Sequence, residues 1–135
     1  MRVIAIDLGT RRVGVAKSDP LRMITQPHGT LQRNAALIEV IAKICVDEEV
    51  GEIVVGLPLH MDGREGEGAA DARKIAGLLE ARTGCKVVLW DERLSTVGAE
   101  RVMRELGVKT RDKRGRVDQY AAEMILQSYL ASTKA

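Results

Sequence analysis

The chain has 135 residues, of which 45% are apolar and 30% are charged, and this balance is typical of one globular domain with a real core. Aromatic residues make up only 2% and phenylalanine is absent, so the core must be aliphatic, and a platform of stacked aromatic rings for single-stranded nucleic acid is disfavoured. The formal net charge of +2 neither requires nor excludes a nucleic-acid partner, so local clusters of charge must decide.

The sequence predicts a cytoplasmic protein that contacts no membrane. Its first apolar stretch is short and is interrupted by Asp7, which is unlike a signal peptide, and no segment approaches the length of a membrane span. Cys45 and Cys85 lie far apart in the sequence and have neither metal-ligand nor disulfide spacing. We therefore expect two reduced thiols.

Three strands without an intervening helix are predicted at the start of the chain. Apolar runs over Val3–Ile6 and Val13–Ala16 flank a turn that contains Gly9, which is the pattern of a hairpin. A third strand is predicted within Met23–Leu31, where Pro27 restricts it to an edge of the sheet because proline has no amide donor. Together these strands predict an antiparallel meander.

The rest of the chain alternates between helix and strand. Apolar residues at helical spacing predict four helices, around Leu37–Cys45, Ala72–Leu79, Ala99–Leu106 and from Val117 onward. Two short apolar runs, Ile53–Leu57 and Val87–Trp90, predict buried parallel strands. Gly51 is predicted to stop the first helix, and the polar stretch Asp62–Gly68 is predicted to be a loop.

These elements predict one α/β domain over residues 1–135. A helix between two parallel strands makes a right-handed crossover, so the helices are distributed over the sheet. We expect a mixed five-stranded sheet with three antiparallel strands followed by parallel ones, and with helices on both faces.

Carboxylates stand at the ends of three predicted elements, where solubility does not require them. Asp7 ends the first strand, Asp91 and Glu92 end the last strand, and Asp118 opens the last helix. Because adjacent residues of a strand point to opposite faces, we expect only one of Asp91 and Glu92 to join the other two positions. If the groups meet at one edge of the sheet, they need a cation, since buried carboxylates are costly without one.

Oxygen ligands without a histidine or cysteine cluster favour Mg²⁺ or Mn²⁺. A pair of such ions supports in-line attack of water on a phosphodiester. Each residue also has an ordinary interpretation, with Asp118 as a helix cap, Asp91 as a strand end and Asp7 as a turn former. It is their joint occurrence at three element ends that suggests a metal-dependent phosphodiesterase.

A cluster of basic residues, called the basic cluster below, lies directly upstream of Asp118. Its members are Lys109, Arg111, Lys113, Arg114 and Arg116. Charged runs are usually solvated surface, but next to a phosphodiester-cleaving centre these side chains would neutralise substrate phosphates. Arg11, Arg12 and Arg93 flank the other acidic positions, and we expect Arg12 and Arg93 to contact the nucleic-acid backbone as well.

Four motifs together resemble the YqgF/RuvX family, whose small bacterial members resemble ribonuclease H and the resolvase RuvC. The motifs are Asp7-x-Gly9-x-x-Arg12-Val13-Gly14-Val15-Ala16, Gly56-Leu57-Pro58, Asp91-Glu92-Arg93-Leu94-Ser95-Thr96 and Asp118-x-x-Ala121-Ala122-x-x-Ile125-Leu126. They cover nearly the whole chain. The resemblance implies a ribonuclease H-like fold and a metal-dependent nuclease with Asp7, Glu92 and Asp118 as its acidic residues, and thus selects Glu92 over Asp91.

Family members are described as candidate nucleases that mature the end of pre-16S ribosomal RNA and as candidate Holliday junction resolvases. The resemblance therefore implies a two-metal endonuclease that processes the 5′ end of pre-16S rRNA, with ribosomal particles as a further partner. The alternatives are a resolvase that cuts four-way DNA junctions and a non-catalytic nucleic-acid-binding module. Asp7-Leu8-Gly9-Thr10 also resembles the phosphate-binding hairpin of actin-like ATPases. The sequence leaves monomer and homodimer open.

Overall fold

The computed structural model describes residues 1–95 and 117–133, except for the side chains of residues 117–119. The strands are β1 (Arg2–Leu8), β2 (Arg12–Ser18), β3 (Thr25–Gln32), β4 (Val50–Leu57) and β5 (Lys86–Asp91). The described helices are α1 (Leu37–Asp47), α2 (Glu67–Thr83) and α3 (Val117–Thr133), and a short 3₁₀ turn covers Glu92–Leu94. The helix predicted around Ala99–Leu106 and the basic cluster lie outside the described residues.

The five strands form one sheet in the order β3-β2-β1-β4-β5. β1 pairs with β2, and β2 with β3, in antiparallel fashion, whereas β4 pairs in parallel with both β1 and β5. Pro27 lies on β3, which is an edge strand. The mixed sheet predicted from the sequence is confirmed.

Helices cover both faces of the sheet because the side chains of each strand alternate between its faces. Ile4 and Ile6 of β1 pack in the core cluster beneath α1 and α2. Val3 and Ala5 of the same strand pack beneath α3, on what is called the α3 face below. Burial on both faces explains why β1 reads as a continuous apolar run.

Two predicted boundaries are wrong. Gly51 does not stop the first helix, because α1 ends at Asp47, Glu49 adopts the left-handed backbone with φ of 53°, and Gly51 already belongs to β4. The polar stretch Asp62–Gly68 is not wholly a loop, because α2 begins at Glu67. At the first boundary Glu49 adopts a backbone that glycine favours, whereas at the second Glu67 is an acidic residue that suits the first turn of a helix. Gly84, by contrast, ends α2 with φ of 70°, a backbone that glycine adopts without strain.

Each helix in the described part of the chain is too short or too polar to cross a membrane.

Candidate active site

Asp7 is a buried carboxylate on the α3 face. It follows Val3 and Ala5 at the alternating positions of β1, and its residue is only 2% exposed. It stands opposite Gly14 of β2, near the carboxyl end of its strand. Burying a carboxylate costs free energy, so an acidic residue at this position is expected to have a functional role.

Glu92 is also buried, at 3% exposure, in the 3₁₀ turn that follows β5. The turn is held by Ser95, whose amide and hydroxyl both donate to the Glu92 carbonyl oxygen, at 2.9 and 2.7 Å. Gly56 leaves the space that the side chain fills. A methyl group built on Gly56 would stand 2.6 Å from Oε1 of Glu92 and 2.8 Å from Cδ1 of Ile125. The Glu92 carboxylate therefore lies over the backbone of β4, beside α3.

Strand register brings these positions together at one edge of the sheet. Ile6 of β1 pairs with Val55 of β4, so Asp7 and Gly56 follow as the next residues on neighbouring parallel strands. Adjacent strands lie about 4.8 Å apart. Asp7 lies on β1, and the Glu92 side chain lies over the neighbouring strand β4. Both acidic groups therefore belong to the α3 face.

Asp118 is the second residue of α3, and its backbone alone is described. The direction of α3 follows from two contacts with β4. Ile125 lies against Gly56 near the end of β4, whereas the Tyr129 hydroxyl donates to Glu52 near its start. The helix therefore runs antiparallel to β4, and its backbone begins on the side of the sheet edge that holds Asp7 and Glu92.

Asp91 belongs to a different arrangement. Its carboxylate accepts hydrogen bonds from the Arg93 guanidinium at 2.8 Å and from the Arg93 amide at 2.9 Å. The side-chain bond to Arg93 holds the pKa of Asp91 below its ordinary value. Arg93 also donates to the Met61 carbonyl oxygen at 3.2 Å, tying the end of β5 to the loop after β4. The guanidinium that we expected to contact nucleic acid thus already has two intramolecular partners.

The turn after Asp7 is a tight, braced structure. The Gly9 amide donates to the Arg12 carbonyl oxygen at 2.9 Å, and a methyl group on Gly9 would stand 2.5 Å from that oxygen, so only glycine fits. The Arg33 guanidinium donates to the Gly9 carbonyl oxygen at 2.9 Å and pairs with Asp71 of α2. Sequence reasoning missed Arg33 because it lies outside every motif. Its position two residues after the third predicted strand was the only signal.

An open cleft of about 510 Å³ borders this turn on its solvent side. The lining residues are Gly9, Thr10, Arg11, Arg12 and Gln32. The register pairs Arg12 with Gln32 across β2 and β3. Arg12, which we predicted to contact nucleic acid, is exposed here at the rim of the acidic edge.

A family model described as "RuvX: Holliday junction resolvase" matches residues 1–132. The chain belongs to the RuvX family. One relative, from Lachnospira eligens, is 44% identical over 137 residues, covering 98% of each chain. Another, from Myxococcus xanthus, is 44% identical over 132 residues, covering 96% of this chain and 87% of the relative. The names of both assign them provisionally as pre-16S rRNA nucleases.

Solved structures agree with the fold of this RuvX-family chain. Thermus thermophilus RuvC in complex with a Holliday junction substrate superposes with a TM-score of 0.58 at 14% identity, over 99% of this chain and 96% of RuvC. The Fowlpox virus resolvase in complex with junction DNA gives 0.59 at 11% identity over the full length of both chains. At such identities the likeness concerns the fold, which is ribonuclease H-like, as the sequence predicted.

The donor set of this RuvX-family site fits a hard divalent cation. Two buried carboxylates, Asp7 and Glu92, stand on one face of one edge, and carboxylate oxygens are the ligands that Mg²⁺ and Mn²⁺ prefer. Among the described side chains, no three acidic, histidine or cysteine groups are close enough to hold a metal ion. The predicted third member, the side chain of Asp118, is outside that description.

Proposed function

We propose that this chain is a metal-dependent endonuclease that hydrolyses phosphodiester bonds in structured nucleic acid, with the 5′ end of pre-16S rRNA as its substrate. The observation that carries the proposal is the pair of buried carboxylates, Asp7 and Glu92, with Gly56 leaving room for the second. Two buried carboxylates at one edge of the sheet supply the oxygen ligands that a hard divalent cation prefers. The names of the relatives support the choice of RNA.

In this proposal Asp7, Glu92 and Asp118 hold two Mg²⁺ or Mn²⁺ ions. Such ions supply a nucleophilic water at neutral pH and neutralise charge on the phosphate. The protein's own part is to fix three carboxylates on rigid elements, β1, the 3₁₀ turn and α3, so that the site needs no rearrangement. Arg12, Arg93 and the basic cluster position the substrate by contacting its phosphates.

Cleavage assays on two substrates test this proposal. Purified protein with Mg²⁺ or Mn²⁺ is offered a precursor rRNA fragment and a four-way DNA junction side by side. We expect cleavage of the RNA, and we expect Asp7→Asn and Glu92→Gln to abolish it while circular dichroism shows an intact fold. Metal-dependent cleavage that survives in purified Asp7→Asn would contradict the proposed site.

A second candidate, resolution of four-way junctions, is favoured by the description of the family model. A resolvase makes paired, symmetric cuts, so this function requires a homodimer, whereas rRNA processing can proceed with a monomer. Symmetric cuts in the junction, with no cut in the RNA, would select it. Binding of nucleic acid at physiological salt, with no cleavage under any divalent metal, would instead select a non-catalytic binding module.

We also propose where the protein acts and which partner it meets. We expect residues 1–135 to act as a single nuclease domain in the cytoplasm, where precursor rRNA is assembled into ribosomal particles. Co-sedimentation of the protein with such particles, measured on a sucrose gradient, tests the partner.

A further inference from the structure

The cleft beside the β1–β2 turn has the lining of an anion site. Of the described lining residues, Arg11 and Arg12 carry guanidinium groups, Thr10 carries a hydroxyl, Gln32 carries an amide, and none is acidic. Guanidinium groups match the geometry of oxygen-rich anions, and hydroxyl and amide donors complete such a shell. The cleft therefore favours a ligand with several acceptor oxygens and negative charge.

The backbone around the cleft is fixed before any ligand arrives. Arg33 donates through its guanidinium to the Gly9 carbonyl oxygen and through its amide to the Arg11 carbonyl oxygen, each at 2.9 Å. The same guanidinium pairs with Asp71, which balances its charge within the protein. Among the lining residues, Arg11 is exposed at the turn and can turn its positive charge towards the cleft. A fixed frame lowers the entropic cost of binding.

The cleft lies near the edge of the sheet that holds Asp7 and Glu92, and this position indicates which kind of phosphate it binds. Thr10 and Arg11 form the turn between β1 and β2, beyond the hydrogen bond that joins Gly9 to Arg12, so the cleft borders the same end of the sheet that holds Asp7. A nucleic-acid strand whose scissile phosphate lay at Asp7 and Glu92 would bring another of its backbone phosphates to this cleft.

We propose that this cleft is a phosphate subsite in which Arg11, Thr10 and Gln32 hold a backbone phosphate of the substrate strand near the scissile one. The subsite rests on the proposed nuclease function, which supplies the nucleic acid. We expect the phosphate to belong to a nucleic-acid strand. A free nucleotide carries the same phosphate groups, so binding of nucleic acid and binding of a nucleotide are measured separately.

Equilibrium binding tests the subsite without requiring cleavage. Fluorescence anisotropy is measured with the labelled rRNA fragment and the labelled junction, using Asp7→Asn protein with or without Arg11→Gln. The matched control is Arg82→Gln, because Arg82 is an exposed arginine at the far end of α2, paired with Glu39. We expect Arg11→Gln to weaken binding several-fold and to lower the slope of log affinity against log salt by about 1.

A neutral variant separates charge from hydrogen bonding. Thr10→Val keeps the shape of the side chain but removes the hydroxyl, so affinity should fall with no change in the salt slope. Equal affinities and equal slopes for Arg11→Gln and Arg82→Gln would overturn the proposal.

Calorimetry with ATP and wild-type protein tests the other source. Stoichiometric ATP binding that Arg11→Gln abolishes, with nucleic-acid affinity unchanged, would assign the cleft to a nucleotide and also overturn the proposal. Failure of the nuclease proposal would be seen separately, as a lack of cleavage by the wild-type protein.

Discussion

Gly56 leaves the space in which the Glu92 carboxylate lies. A methyl group there would stand 2.6 Å from Oε1 of Glu92 and 3.1 Å from its Cγ, so Gly56→Ala must displace that side chain. A displacement of about 1 Å at an active site can lower the rate about 100-fold. We expect Gly56→Ala to lose cleavage on that order and to lose about 1–3 kcal/mol of stability through overpacking, as measured by single-turnover kinetics and urea unfolding.

Gly77 provides the matched control for that substitution. A methyl group at this position in α2 would meet nothing within 4 Å. Gly77→Ala should raise stability by about 0.5–1 kcal/mol, because alanine is favoured in helices, and should leave cleavage unchanged. Wild-type cleavage by Gly56→Ala would show that the position of Glu92 is not critical.

Cys45 illustrates how burial sets reactivity. Burial and the neighbouring Cys85 thiol raise the pKa of Cys45 to about 12, so the group stays a protonated thiol at neutral pH. We expect iodoacetamide at pH 8 to label Cys45 only after unfolding, measured by mass spectrometry on Cys85→Ala protein. The Cys45→Ala variant gives the labelling rate of Cys85 alone for comparison. Rapid labelling of folded Cys45 would contradict this assignment.

At the scale of secondary structure, α3 is anchored by a buried polar contact. The Tyr129 hydroxyl donates to both oxygens of Glu52, at 3.0 and 2.8 Å, and Arg22 approaches Glu52 within 3.6 Å. Removal of the hydroxyl leaves a buried carboxylate short of donors, so Tyr129→Phe should cost about 1–3 kcal/mol in urea unfolding. Tyr120→Phe on the same helix, at an exposed residue, should cost nearly nothing.

The same contact predicts a dependence on pH. Burial, together with the bond to Glu52, raises the pKa of Tyr129 from 10.0 to about 12. The folded state therefore holds this proton more tightly than the unfolded chain, so its contribution is complete below pH 10 and is lost as the pH rises to 12. The difference in unfolding free energy between wild type and Tyr129→Phe should shrink over that range. A constant difference would contradict it.

Sequence reasoning located the helices and strands better than it located their ends. The continuous apolar run of β1 and the helical stripe of α2 reflect burial, and burial decides both patterns. The end of α1 could not be predicted, because Glu49 adopts a left-handed backbone that the rules assign to Gly51. That choice depends on packing around β4, which local preference does not encode.

At the scale of the whole molecule, metal binding should couple the site to global stability. A ligand that binds only the folded state stabilises it by about 2.7 kcal/mol at a hundredfold excess over its dissociation constant. We expect the melting temperature to rise with Mn²⁺ and to return with a chelator. Asp7→Asn should abolish this rise, whereas Asp91→Asn should keep it, because Asp91 pairs with Arg93 instead. An equal rise in all three proteins would place the metal elsewhere.

The candidate site could be predicted only in part. Asp7 stands in a motif and at the end of a strand, so residue pattern and resemblance both indicated it, whereas the pattern left Asp91 and Glu92 open and the resemblance selected Glu92. Their convergence depends on strand order, which brings β1 beside β4 and β5, and on the direction of α3. The bracing of the turn by Arg33 and Asp71 joins residues far apart in the chain, and no spacing rule predicts such a pair.

The outer edge of β3 has a consequence for solubility. Exposed edge strands are templates for uncontrolled pairing between molecules, and natural sheets blunt them with proline and irregular register. β3 carries Pro27, and its register with β2 shifts between Val15 and Ala16. We therefore expect this edge to resist aggregation, and we do not expect a homodimer that cuts junctions to form by extending the sheet through β3. The Pro27→Thr protein should therefore aggregate faster than the wild-type protein, as measured by light scattering.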